Sequence, residues 1–378
     1  MLRKGLLGVL AFVVVLLFGV QAAMSDDVIK IGVQAPITGK FASEGQSIDK
    51  SVRLIAKQYN EKGGILGKKI EVITCDDEGK AVKAAICARQ LVDKGVIAVI
   101  GSYTSTCAEA AESIYYKAGV LQTSDGTSDS LVKHGYWTFF RNSSPNSAEA
   151  AFTAEFFTKK QHYKRIATIS DYSTFSTDLT NAVIKNIKKL GGNIVYSGKI
   201  TSGSQNFTPI LTKIKSFNPD VIYFGGYYTD GGLIRAQMKQ LGIKADFVGG
   251  DSNDNPEFIK LAGKAAVGAY LVNVPLPEML PYDTAKEFLK AYKDAYHETP
   301  ASIWTLFNVD GLRAILYSIE QTKSLDTKKI ADYMHNKLKN FPGITGPVEW
   351  ASNGERIGSA YMAYRIGDDL KYHIVYRH

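Results

Sequence analysis

A chain of 378 residues with 45% hydrophobic and 22% charged side chains has the balance of a folded protein and the length for two domains, which excludes a disordered or low-complexity chain. The formal net charge of +8 includes Arg3 and Lys4 of an N-terminal leader. The other cations stand singly or in pairs among Asp and Glu, with no basic block or aromatic–basic interleaving, so no nucleic-acid partner is expected.

Arg3 and Lys4 precede an apolar run from Leu6 to Val20, followed by Ala22-Ala23-Met24-Ser25 and a polar start. Positive, then hydrophobic, then small residues is the order of an export signal. The run of about 15 residues is shorter than the roughly 20 that a membrane span needs. Residues 1–25 are therefore expected to be a cleaved signal peptide. No Cys stands at the cleavage region to carry a lipid anchor, and no later segment reads as a membrane span.

The mature chain opens on Val28 to Val33, a β-rich strand, and the turn Gln34-Ala35-Pro36-Ile37-Thr38-Gly39. Ile48, Val52, Ile55 and Tyr59 recur at helical spacing, and Gly63-Gly64 stops that helix. Lys69 to Thr74 is a second strand closed by Asp76-Asp77, Lys80 to Lys94 a second helix, and Val96 to Ile100 a third strand. After Ser143 to Asn146, a polar crossing, the same grammar restarts. Arg165 to Ser170 is a strand, Leu179, Val183, Ile187 and Leu190 line a helix, Gly191-Gly192 ends it, and Asn193 to Ile200 follows as a strand. Thr208-Pro209 reads as N-cap and first position of another helix. Val221 to Phe224 and Phe247 to Asp251 are further strands, and Val274 to Pro277 a second crossing. Helices are expected over Tyr282 to Tyr296, Ile303 to Gln321 and Thr327 to Lys339, with strands in Ile344 to Trp350 and Ile357 to Arg377. Strands and helices that alternate in this way predict a parallel α/β sheet, and two halves on one plan predict two similar lobes.

The stretch Val99 to Ser128 organises the rest: a strand ending at Gly101, a hydroxyl-rich loop around Ser105, a helix, a short strand, and the polar loop Ser124-Asp125-Gly126-Thr127-Ser128. Both loops would emerge at the carboxyl ends of neighbouring parallel strands, where open α/β sheets bind ligands. The first runs into a helix whose free N–H groups and positive dipole end favour a carboxylate. Asp251, at a strand end after two glycines, and Tyr227, after Gly225-Gly226, belong to the opposite half.

Signals for bond chemistry are lacking. Gly63 to Lys69 mimics part of a phosphate loop without its glycine spacing or its Ser/Thr, and no G-x-S-x-G elbow or nearby histidine attends Ser105. No catalytic residue, metal site or cofactor is expected. Cys75, Cys87 and Cys107 allow one disulfide plus a free thiol, or three plain thiols.

Ten short segments occur in order: Ile29 to Val33, Tyr59 to Ile65, Asp76-Asp77, Val99 to Gly101, Ile114-Tyr115, Gly135-Tyr136, Phe140-Arg141, Val221 to Phe224, Gly225 to Tyr228, and Gly346 to Val348. In these the mature chain resembles the leucine/isoleucine/valine-type substrate-binding proteins of ABC importers. The resemblance implies a type I periplasmic-binding-protein fold, two Rossmann-like lobes joined by three hinge crossings, with a ligand held in the cleft. It implies lobe 1 from residues 27–145 plus 276–349, lobe 2 from 146–275 plus 350–378, and hinges at Ser143 to Asn146, Val274 to Pro277 and Gly346 to Trp350. It implies a periplasmic monomer that captures a free amino acid, branched-chain first and polar second, and delivers it to a membrane permease. A sensor for a signalling receptor and an exported hydrolase using Ser105 are the alternatives.

Residue by residue, the resemblance gives the Ser105 hydroxyl and Thr127 to the ligand carboxylate, with Gly126 supplying backbone groups. Tyr227 lines the cleft, and Asp251 stands where the family carries a glutamate for the ligand ammonium. Phe175 replaces a cleft tyrosine. Glu44 replaces an aromatic that touches the ligand side chain. It is expected either to face an inward ligand, where an aliphatic group would leave its charge unpaired, or to turn to solvent.

Overall fold

The structure, a computed structural model, describes residues 28–358 and 360–377; the signal peptide expected at 1–25 lies outside the described residues. In chain order the strands and helices of the first half are β1 (Val28–Ala35), α1 (Ala42–Glu61), β2 (Lys69–Asp76), α2 (Ala81–Asp93), β3 (Ala98–Gly101), α3 (Ser105–Ala118), β4 (Leu121–Ser124) and β5 (Phe139–Arg141). They form a five-stranded parallel sheet in the order β2-β1-β3-β4-β5. The interior strands are buried along almost their whole length, which is why they read as apolar runs instead of alternating patterns.

The second half repeats the plan. After α4 (Asn146–Glu155) come β6 (Ile166–Ser170), α5 (Thr174–Lys189), β7 (Ile194–Lys199), α6 (Thr208–Ser216), β8 (Val221–Phe224), α7 (Tyr228–Gln240), β9 (Asp246–Gly249), α8 (Pro256–Ala262) and β10 (Tyr270–Asn273). The order β7-β6-β8-β9-β10 is that of the first sheet, so the two similar lobes expected from the repeated pattern are there. The remaining elements divide between the lobes. Of α9 (Asp283–Tyr296), α10 (Ile303–Thr322) and α11 (Thr327–Asn336), α9 packs on α1 and α10 on α1, β3 and β4. The short pair β11 (Phe341–Pro342) and β12 (Pro347–Val348) follows, and then β13 (Met362–Ile366) extends the second sheet antiparallel to β10, with β14 (Tyr372–Arg377) antiparallel to β13 at its edge.

Three local readings are refined. Helix α6 starts at Thr208 itself, with Phe207 at the cap position; the Asn206 side chain accepts the Thr208 N–H at 2.9 Å, so the cap comes from two residues earlier. Cys75 at the end of β2 is joined to Cys87 in α2, and Cys107 is a buried free thiol. Beyond β12, in residues that the resemblance assigns to lobe 2, the chain still bonds to β5 of the first sheet. Trp350 Nε1 donates to the Arg141 carbonyl at 2.6 Å, and the Gly354 carbonyl accepts the Arg141 N–H at 2.9 Å.

Candidate functional site

The carboxyl ends of the two sheets face each other, and the loops after β1, β3 and β4 meet those after β6, β8 and β9. Direct bonds join the lobes. Lys40 Nζ donates to Ser202 Oγ at 2.6 Å, and Tyr228 Oη to the Lys40 carbonyl at 3.3 Å. Thr174 N–H donates to Thr106 Oγ1 at 3.0 Å, and Asp129 N–H to Asp178 at 2.9 Å.

Ser105 begins α3, and Thr104 caps that helix by accepting the Cys107 N–H at 3.3 Å. Gly101, the last residue of β3, has φ of +116°, and a Cβ there would run into the Gln34 carbonyl of β1; the loop can only leave the sheet in this direction from a glycine. Ser105 Oγ accepts the Ser128 N–H at 3.2 Å, which ties the first loop to the second. In that second loop the Gly126 N–H donates to Ser124 Oγ at 3.0 Å, and its carbonyl accepts from the buried Arg141 at 2.5 Å. The Gly126 backbone groups expected to serve a ligand are thus already engaged within the protein. What the glycine provides is space, since a Cβ would lie 3.3 Å from the Ser105 Cα and 2.9 Å from Leu131. Thr127 is buried beside it, its carbonyl accepting the Asn146 N–H at 2.8 Å.

Four rings from both lobes close one side of the cleft. Tyr227, at the start of α7, lies 4.6 Å from Phe41, 5.0 Å from Phe175 and 5.9 Å from Tyr103, centroid to centroid. Phe175 and Tyr227 are therefore brought together as expected, and Phe41 and Tyr103 join them unforeseen.

Asp251 is fully buried, and its carboxyl group lies against that of Glu149 from α4; Glu149 Oε1 also accepts the Asp251 N–H at 3.2 Å and Tyr223 Oη at 3.5 Å. Burial raises the pKa of both, and the Asp251 charge raises Glu149 further. The two carboxyl groups therefore favour holding a proton between them over two bare charges side by side. Asp251 Oδ2 has no protein partner.

Glu44 corrects both readings of it. It does not turn to solvent, being fully buried in the first turn of α1. Nor is it unpaired: Asn255 Nδ2 of the second lobe donates to Oε1 at 2.7 Å and Ser302 Oγ to Oε2 at 2.9 Å. Burial nevertheless pushes its pKa up to about 7, against the lowering effect of those two donors. An aliphatic ligand would therefore leave no bare charge at this position. Asp76 and Asp77, set aside as strand-end caps, do bond the loops around them: Asp76 accepts the N–H groups of Ile37 and Glu78 at 2.9 Å, and buried Asp77 accepts from Ser102 and Gln34.

Sequence reasoning missed Glu149, Asn255 and Ser302. Glu149 interrupts the alanine-rich run Ala148 to Ala151. Asn255 and Ser302 carry no sequence signal, because their partner Glu44 is more than 200 positions away.

A family model described as periplasmic binding protein matches residues 28–371. The Leu/Ile/Val-binding protein BraC3 of Rhizobium johnstonii is 28% identical over 338 residues, 89% of this chain and 91% of the relative. The Leu/Ile/Val-binding protein homolog 1 of Brucella suis is 28% identical over 99% of this chain and 100% of its own length. Among solved structures, the leucine-binding protein LivK of Thermotoga maritima matches with a TM-score of 0.84 at 28% identity, over 92% of this chain and 98% of its own. LivJ of Streptococcus pneumoniae, in complex with isoleucine, matches with a TM-score of 0.82 at 26% identity, over 93% of this chain and 100% of its own. Two lobes of equal strand order, facing carboxyl ends and a match along nearly the whole described chain make this protein a member of the periplasmic binding protein family.

Proposed function

We propose that this protein captures a free amino acid between its lobes and delivers it to the membrane permease of an ABC importer. The observation that carries the reading is the placement of opposite chemistries on opposite lobes. Ser105 stands at the positive end of α3 with Thr127 on the adjoining loop, suited to an α-carboxylate, and the acid Asp251 belongs to the other lobe, suited to an α-ammonium. The names of the relatives support the branched-chain amino acids as first ligands, and polar amino acids stand second in this reading. In this reading the leader is cleaved on export, the mature protein acts as a periplasmic monomer, and the lobes comprise 27–145 with 276–349 and 146–275 with 350–378. Hinges in this reading lie at Ser143 to Asn146, Val274 to Pro277 and Gly346 to Trp350.

No bond chemistry is involved. The Ser105 hydroxyl accepts a hydrogen bond from the Ser128 N–H, and no histidine bonds to it among the described residues, which disfavours a hydrolase. A sensor that signals its ligand-bound shape would use the same cleft, and retained uptake on gene deletion would reveal one. The test of binding is a thermal-shift screen of mature protein against the twenty amino acids. A ligand at 100 times its dissociation constant should add about 2.7 kcal/mol of stability. By calorimetry Asp251→Ala should lose about 2–5 kcal/mol of binding, mostly through faster release, and Ser105→Ala about 1.5–3 kcal/mol. A screen without any shift would reject the amino-acid reading.

A further inference from the structure

Asp178, in the second turn of α5, gathers donors from both lobes onto a single carboxylate oxygen. Ser128 Oγ donates to its Oδ2 at 3.1 Å, the Asp129 N–H at 2.9 Å and Asn146 Nδ2 at 2.9 Å. Ser128 and Asp129 follow Thr127 in the loop after β4 of the first sheet, and Asn146 begins α4 at the first crossing.

Two of these donors are bonded in turn to residues proposed to meet the ligand. The Ser128 N–H donates to Ser105 Oγ at 3.2 Å. The Asn146 N–H donates to the Thr127 carbonyl at 2.8 Å, and Asn146 Nδ2 reaches the Phe175 carbonyl at 3.3 Å. Asp129 is held from its other side, its carboxylate accepting the Ser147 N–H at 3.0 Å and Ser147 Oγ at 2.7 Å. The segment from Thr127 to Asp129 is thus fastened to α4 and α5, and its bonds meet at Asp178.

All three donors to Asp178 are neutral, and a carboxylate is a stronger acceptor for them than a hydroxyl or a carbonyl would be. The bonds from Ser128 and Asp129 cross from one sheet's loop to the other half's helix, so they need the two lobes together. Moving the lobes apart would break both, since such a bond is gone beyond about 3.5 Å. We propose that Asp178 is a positioning residue for ligand capture, which docks the Thr127 loop on α5 when the lobes close and thereby slows release. The inference rests on the capture reading above and adds the residue that couples the carboxylate loop to closure. In this arrangement Asp178 acts through Ser128 and Asn146, not by touching the ligand. An amino acid enters the open form, before these bonds exist, and leaves only after they break. Loss of Asp178 therefore acts on the release rate and not on the encounter rate.

The experiment is stopped-flow binding of leucine and of serine to the mature protein. It compares the native chain with Asp178→Asn, Asp178→Ala, Ser128→Ala and the double variant Asp178→Ala with Ser128→Ala. Unfolding transitions verify that each variant folds, and the asparagine variant keeps the shape of the side chain. In Asp178→Ala release of both probes should quicken about tenfold or more, because bonds to a charged acceptor are lost. Association should stay within about threefold of native. Asp178→Asn should fall in between, since it keeps an oxygen acceptor and loses the charge. Ser128→Ala should quicken release in the native chain but add less than about twofold to Asp178→Ala, where its bond is already gone. An unchanged release rate in Asp178→Ala would overturn the inference and leave the capture reading intact. So would a loss that differs about tenfold between leucine and serine, which would make Asp178 a contact for the ligand side chain. Fully additive losses in the double variant would also overturn it, by separating Asp178 from Ser128. Absence of binding by the native chain, together with an empty thermal-shift screen, would overturn both.

Discussion

Glu44 has two hydrogen-bond donors, one from each lobe, and no charge partner, so its ionisation is set mainly by the loss of water. Its pKa of about 7 in the buried site lies above the ordinary carboxylate value of 4.5. The buried form therefore holds a proton that an exposed Glu44 has released, and the linkage acts between those two values. Stability of the joined lobes is full below pH 4.5, falls as pH rises toward 7, and levels off above it. At 1.36 kcal/mol per pKa unit the loss amounts to about 3 kcal/mol. Glu44→Gln keeps an acceptor for Asn255 and removes the titration. Unfolding measured from pH 4 to 8 should show a difference between native and variant that changes across this window. Parallel curves would mean that Glu44 does not titrate there. Glu149 plays another part at this scale, since it stands against Asp251 and burial raises the pKa of both carboxyl groups.

Helices that start at the cleft do so by local rules. Thr104 caps α3 and Ser173 caps α5, each accepting an N–H two or three positions into the helix, and each stands just after a β-strand. Behind the cleft, β2 and α2 are fastened by Cys75–Cys87 across a separation of 12 residues. The unfolded chain loses loop freedom through this link, worth about 3 kcal/mol for a loop of this length. The paired change Cys75→Ala with Cys87→Ala should lower unfolding stability by up to that amount, measured in urea, while ligand affinity stays within about twofold, because the link joins the edge strand β2 to α2 and the proposed ligand contacts lie on other elements. An unchanged urea midpoint would mean that the link restrains nothing in the unfolded state.

The molecule as a whole holds its lobes together through a few hydrogen bonds and one ring cluster. Lys40 with Ser202, Thr174 with Thr106 and Asn255 with Glu44 are each worth about 1 kcal/mol net. Contacts so few leave the balance between open and closed forms to the ligand, whose affinity for the closed form alone can tip it. Small-angle scattering should give a smaller radius of gyration with saturating ligand than without. An identical radius in both states, with binding verified by calorimetry, would contradict hinge closure.

Much of this was legible in the sequence because it depends on local rules. Apolar runs, helical spacing and glycine stops placed most strands and helices, since burial of a parallel strand on both faces writes itself as a continuous hydrophobic segment. Ser105 and Tyr227 could be named as cleft candidates because loops at strand ends are where such sheets bind, whereas Phe175 came from the family resemblance alone. The cysteine pairing stayed open, because it depends on where a strand end meets a helix side. Glu44 could be found but not understood: its partners Asn255 and Ser302 reach it only when two lobes, far apart in the chain, close on each other. The same holds for the carboxyl pair of Glu149 and Asp251. Sequence sets which groups are present and which local structure carries them, whereas their charge depends on water excluded by the rest of the fold, which only the tertiary structure decides.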